Sequence, residues 1–329
     1  MRRIFVAATA FVGTVLFVYS IHTLGMAQIQ EAIVRIGWGF IAILALSGAR
    51  EVVRTLAWMR TVEGPVHLSF ADAFRARLAG EALSTLLPMG MLVGEPAKAE
   101  HVGHRLPFAT AFGALVVELA FYGSSLVLLF SAGAVALLPA SAVLFMAGIA
   151  AIAVLRFRNG SRGTAAADPA ATSQRRISKL IRRMIRKARS LSDPVIGFSS
   201  RHPDRVWRIV AFETAFQVLA VAEVYLTLTL ITPGHAGWKS AVVLETVGRA
   251  ITMMFKMLPM RMGVDEAGAA LFADRLDLGA STGIMLALVR KMRLLAWSAV
   301  GLILLFRRST AVLAGPATAA PAIRLFHST

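Results

Sequence analysis

Long apolar stretches, almost free of charge, alternate along this chain with short basic clusters, and few folds tolerate that pattern. In hydrocarbon every backbone N–H and C=O must find a partner inside the protein, so a lone stretch of roughly 20 apolar residues is read as a spanning helix. The runs are Ile4 to Ser20, a stretch from Gly37 that meets charge at Arg50, Glu51 and Arg54, Phe108 to Leu138, Ala140 to Leu155, Val206 to Ile231, and Ile284 to Phe306. Composition agrees with this reading. Of 329 residues 57% are hydrophobic and 16% charged, where a soluble domain carries about a quarter. The chain has no cysteine, which excludes disulfides, thiolate chemistry and Cys-ligated metal. A net charge of +17 raises nucleic acid as a partner. The basic residues, however, cluster between apolar segments, as in cytoplasmic loops that face anionic lipid. The expectation is a membrane protein with no nucleic-acid partner.

The expected fold is all-α: a polytopic helical bundle of the inner (cytoplasmic) membrane. Residues 1–155 form a first membrane half, opened by a retained anchor helix, since no small-x-small cleavage site follows Ser20. Residues 156–205 form a cytoplasmic basic loop. Within it 175–191 reads as an amphipathic helix, with Ile177, Leu180, Ile181, Met184, Ile185, Ala188 and Leu191 at helical spacing and eight Lys or Arg between Arg175 and Arg189. Such a helix suits an anionic membrane surface. Residues 206–308 form a second membrane half, and 309–329 a flexible Ala/Pro-rich tail.

Two segments break the simple pattern. Residues 78–100 are apolar but interrupted by Pro88, Gly90 and Gly94, and residues 239–276 by Pro259, Gly263 and Gly268. Leu87-Pro88-Met89 recurs as Leu258-Pro259-Met260, and a glycine and an acid follow each time: Gly94 and Glu95, then Gly263, Asp265 and Glu266. Glu118 stands 30 residues after Pro88 and Arg290 stands 31 after Pro259, so the order of features points to an internal duplication. The positive-inside rule places the N-terminus, the 156–205 loop and Arg307-Arg308 all in the cytoplasm. That works if the two broken segments are re-entrant hairpins of opposite orientation between six full spans, an inverted repeat. The alternative is eight plain transmembrane helices with proline kinks.

The basic-aromatic helix end (Arg54, Trp58, Arg60), the Gly80-x-x-x-Ser84-x-x-x-Pro88 stretch ending in Gly94-Glu95, and the later Pro259, Gly263 and Glu266 with the Arg290 to Arg293 cluster together resemble the lysylphosphatidylglycerol synthetase transmembrane-region family. Its members are flippase-like and include the membrane half of multiple peptide resistance factors and hopanoid-associated membrane proteins. Relatives commonly carry two glycines before the first acid, where this chain has Val93-Gly94-Glu95, and an asparagine near Ser84. Only a short tail follows residue 308, so the resemblance implies the lipid-handling half rather than an aminoacyl transferase. The implied function is a lipid flippase or transporter-like protein that moves or binds a polar headgroup. The alternative is a non-catalytic membrane subunit that binds lipid and supports lipid or cell-envelope synthesis with a protein partner. The lipid is expected to be an anionic or modified phospholipid or a hopanoid.

Arginine pairs bidentately with phosphate, and intramembrane charge is rare unless used. Arg249, Arg261, Arg290 and Arg293 are therefore the expected phosphate contacts. Glu95, Glu118, Glu245 and Glu266 balance them, or bind a cationic headgroup or proton; the alternative is that all these charges pair internally and fix packing. Gly80, Ser84, Pro88, Gly94, Pro259 and Gly263 shape the hairpins. No enzyme signal is found and no cofactor is expected. Gly279-Ala280-Ser281-Thr282-Gly283 matches Gly-x-Ser-x-Gly without a preceding strand, and His101 and His104 lack a third metal ligand.

Overall fold

The computed structural model describes residues 34, 36–64, 68–87, 90–137, 194–255, 261 and 263–314. The expected anchor helix at 4–20, the span at 140–155, the amphipathic helix at 175–191, Pro88, Pro259 and the end of the tail lie outside them. Among the described residues every regular element is a helix. Eight carry the fold: α1 (Gly39–Thr61), α2 (Phe70–Leu86), α3 (Met91–His101), α4 (Phe108–Leu137), α5 (Pro203–Ile231), α6 (Trp238–Met254), α7 (Val264–Asp274) and α8 (Ala280–Ala314). A short helical run at 194–201 leads into α5.

The helices start and stop where the local chemistry dictates. The Ser69 hydroxyl accepts the Asp72 N–H at 3.1 Å and caps α2. Leu87 adopts the extended conformation that a following proline imposes (φ −83°, ψ 143°) and ends it. Pro203 opens α5, with Asp204 in its first turn. Gly263, at φ +82°, turns the chain into α7, where the Glu266 carboxylate accepts the Gly263 N–H at 2.8 Å.

The lengths repeat. Among the described residues each half shows a long helix, a helix of 17 residues, a helix of 11 and another long helix. The packing repeats with inverted direction. Along α1 and α5, Gly39 backs onto Leu230, Arg50 pairs with Glu223, and Val62 O accepts from Arg205, so the two run antiparallel. Helix α4 runs against α1, with Arg54 on Glu118 and Thr61 on Ala114. It runs along α5, with Val117 beside Ile209 and Ser125 bonded to Gln217. Helix α8 follows α1, with Ser47 on Arg293 and Gly48 on Trp297. Equivalent long helices of the two halves are thus antiparallel, as in an inverted repeat.

One consequence concerns the short helices. Helix α1 ends where α4 begins, so α2 and α3 enter and leave at that end of the bundle. By the same logic α6 and α7 enter and leave at the opposite end. Each pair reaches into the other half: α2 packs on α8 through Ala82, Leu86 and Leu302, and α6 packs on α4 where Gly133 meets Thr246. The first broken segment is longer at the front than the sequence implied: α2 begins at Phe70, not at 78, whereas the second begins at Trp238, beside the expected 239. Asp72, Arg75 and Arg77 disguise its first turns as polar, yet Arg77 is wholly buried.

Helices α4 and α5 are long and apolar enough to cross a bilayer. Helix α1, of 23 residues, spans about 34 Å, but it and α8 carry charges that are satisfied only inside the bundle.

Candidate functional site

The two helix pairs meet at a cavity of about 490 Å³ in the centre of the bundle. Its floor is aromatic. Phe216 of α5 stands edge-on to Tyr122 of α4, with ring centroids 5.8 Å apart. Three guanidinium groups lie over the Phe216 ring: Arg50 at 4.7 Å, Arg54 at 5.3 Å and Arg249 at 5.3 Å. Arg54 also stacks on Tyr122 at 4.3 Å. Each guanidinium is thereby attracted to a ring face as well as to its carboxylate.

The charges around the floor fall into two unequal sets. On one wall, four arginines share two carboxylates. Glu223 accepts from Arg50 at 2.6 Å and from Arg293 at 3.0 Å. Glu245 accepts from Arg249 at 2.7 Å and from Arg290 at 2.9 Å. Arg290 also donates to the Leu244 carbonyl, and Arg249 to the Tyr122 hydroxyl. Gly248 has no side chain because the Arg290 guanidinium fills the space beside it. This wall keeps an excess of positive charge.

On the facing wall the balance is reversed. Lys98 lies between Glu81 at 2.8 Å and Glu95 at 2.7 Å. Arg77 reaches Glu51 at 3.0 Å, Glu118 at 3.5 Å and Glu81 at 3.6 Å, and Arg54 reaches Glu118 at 2.9 Å. Three cations answer four carboxylates. Arg77 and Lys98 are fully buried behind Glu51, Glu81 and Glu95, whose side chains keep 19–34% exposure and line the cavity. The cavity is therefore polarised, positive toward α6 and α8 and negative toward α2 and α3.

Of the residues singled out from the sequence, Arg249, Arg261, Arg290, Arg293, Glu95 and Glu245 all line this cavity, as does Ser84. Arg261 pairs with Asp265 at 3.2 Å. Glu118 and Glu266 do not line it. Glu118 lies behind Arg54 and Arg77, and Glu266 is used twice, as the cap of α7 and as the partner of Lys291. The first motif is a helix crossing. A Cβ on Gly80 would collide with Lys98 and the Gly94 carbonyl, and one on Gly94 would collide with the Ser84 hydroxyl and the Gly80 carbonyl. The glycines let α2 and α3 touch backbone to backbone, which brings Lys98 under Glu81.

Sequence reasoning missed Arg50, Arg77, Lys98, Lys291 and the Tyr122–Phe216 floor as parts of one site. A signal existed: Arg50 and Arg54, Arg77 and Glu81, and Glu95 and Lys98 stand three or four apart, on shared helix faces. The remaining motifs resolve simply. Gly283 of the Gly-x-Ser-x-Gly match lets α8 approach the backbone of α7 at Ala269. His104 lies 3.7 Å from Asp72, and no group of three or more metal-capable side chains occurs among the described residues.

No curated protein and no solved structure matches the chain. A family model does, over residues 5–302: the lysylphosphatidylglycerol synthase TM region. That match covers both helix pairs and every residue that lines the cavity between them, so the chain is an integral membrane protein belonging to the lysylphosphatidylglycerol synthase TM region family.

Proposed function

We propose that this protein is a flippase-like lipid transporter which takes a polar headgroup into the charged cavity and carries it across the inner membrane. The observation that carries the reading is the polarised cavity between two helix pairs that enter from opposite ends of the bundle. With α1, α4, α5 and α8 across the bilayer, α2–α3 and α6–α7 become re-entrant hairpins. Broken helices of opposite sense at the midplane are the usual setting of a transport site. The Arg249–Glu245–Arg290 and Arg50–Glu223–Arg293 triads offer surplus guanidinium to a phosphate. Glu51, Glu81 and Glu95 offer carboxylate to an amine. An anionic or amine-modified phospholipid fits both walls, and a hopanoid with a polar head is the other class to assay. No chemical step is assigned; the protein acts as a carrier. On the positive-inside rule the 156–205 loop marks the cytoplasmic face, toward which α2–α3 opens.

The description of the matched family names a synthase region, which favours a second reading: a membrane subunit that holds lipid for a synthetic partner. One experiment separates the two. Purified protein in proteoliposomes is assayed for transfer of lipids with fluorescent headgroups, anionic, zwitterionic and lysyl-modified. Transfer above empty liposomes, abolished by Arg290→Ala and by Glu95→Ala in folded protein, is the expected result. No transfer of any of the three removes the carrier reading and leaves the subunit.

A further inference from the structure

Glu213 stands apart from the ion-pair scheme. It lies in α5, it is wholly buried, and neither carboxylate oxygen accepts a hydrogen bond among the described residues. The other buried acids there, Glu118, Glu223 and Glu245, each have an arginine within 3 Å. Arg54 of α1, Arg77 of α2 and Glu118 of α4 lie within electrostatic reach of Glu213. Both arginines are already engaged by Glu118. From α6, Arg249 reaches α5 over Phe216, one turn further on, where it is held by Glu245; from α8, Arg293 is held by Glu223. A buried carboxylate without its own counter-charge is far costlier than the neutral acid. The neutral acid has an O–H to donate, and Glu118 is the carboxylate beside it.

Resting on the headgroup reading above, we propose that Glu213 is a proton-binding site coupled to the lipid cavity through Glu118 and Arg54. Arg54 is the shared part: it lines the cavity, stacks on Tyr122 and holds Glu118. A headgroup phosphate that draws Arg54 toward the cavity leaves the Glu118–Glu213 pair short of a counter-charge, and the pair holds its proton more tightly. When the phosphate leaves and Arg54 returns to Glu118, the pair holds its proton less tightly; above the titration of the resting pair the Glu213 O–H ionises and the proton leaves toward water in the cavity. No bond of the lipid changes. Headgroup and proton therefore favour each other's binding, and headgroup affinity rises as pH falls from the titration of the bound pair to that of the resting pair.

The test uses the purified full chain and a water-soluble, short-chain phosphatidylglycerol. Calorimetric titrations over a pH series, in two buffers of different protonation enthalpy, count protons taken up on binding. In the window between the resting and bound titrations, uptake reaches about one proton per lipid. Glu213→Gln, an isosteric mimic of the protonated acid, keeps the lipid Kd within a few-fold and loses the uptake. Lipid binding with no uptake at any pH, or with equal uptake in Glu213→Gln, overturns the proposal. Infrared spectra of reconstituted protein over the same pH series read the acid without any ligand: a protonated-carboxyl C=O band is expected to grow in as pH falls, lost in Glu213→Gln and displaced in Glu213→Asp. Its absence in the unaltered chain also overturns the proposal. Failure of the unaltered chain to bind the lipid counts against the headgroup reading, and the infrared band then decides by itself whether Glu213 holds a proton.

Discussion

At the scale of the residue, the molecule turns on a few side chains that would be intolerable singly. Arg77 is wholly buried and touches three carboxylates. Breaking a buried ion pair by removing one partner typically costs about 3–5 kcal/mol, because the remaining charge is stranded. Arg77→Ala is therefore expected to destabilise by roughly that amount, measured as the shift of unfolding in mixed detergent micelles; no shift would mean that the carboxylates find other partners. Gly94→Ala is expected to cost about 1–3 kcal/mol, since its Cβ meets both a hydroxyl and a backbone carbonyl of α2. Gly248→Ala makes an informative contrast. Its Cβ meets only the far end of Arg290, a flexible side chain. Stability should change little while lipid transfer falls, because Arg290 is pushed off Glu245. A large loss of stability with normal transfer would contradict the role given to Arg290.

At the scale of the element, the broken helix pairs were legible in the sequence and their partners were not. Proline, glycine and acid recur in one order, and Pro88 and Pro259 stand as far apart as Glu95 and Glu266. That pattern foretold two short helices per half. The start of α2 was hidden because burial of Arg77 depends on Glu51 and Glu118, 26 and 41 residues away in sequence. The Arg50–Glu223 pair joins residues 173 apart, beyond the reach of any periodicity. Six of the eight charged residues chosen from the sequence line the cavity, since an isolated charge in an apolar run is conspicuous. Glu118 and Glu266 were equally conspicuous but stand outside its lining. The open end of α2–α3 carries a pH-sensitive tie. Burial alone would raise the Asp72 carboxyl, but the Ser69 hydrogen bond and the charges of His104 and Arg105 outweigh it and hold it below the ordinary carboxylate range. Its stabilising effect is complete above that range and is lost as pH falls through the lowered value. Hydrogen exchange in the first turn of α2, corrected for its intrinsic pH dependence, should rise in that acidic window. Asp72→Asn should flatten the response; an unchanged response would assign it to another group.

At the scale of the whole molecule, two halves of opposite direction exchange their short helices, α2 onto α8 and α6 onto α4. Charges that could not survive in lipid are thereby gathered in and around one cavity. Everything proposed for this protein rests on the two helix pairs opening to opposite sides of the membrane. The absence of cysteine makes that directly measurable, because a single introduced thiol has no background. Exposed positions suit the purpose: Ala71 and His104 at the ends of α2–α3, His235 and Arg275 at the ends of α6–α7. Each is changed to cysteine in turn and treated with a membrane-impermeant thiol reagent in oriented vesicles. Labelling of the first two from the cytoplasmic side only, and of the last two from the other side only, is the predicted result. Labelling of Ala71→Cys and His104→Cys from opposite sides would make α2–α3 a full crossing and contradict the account.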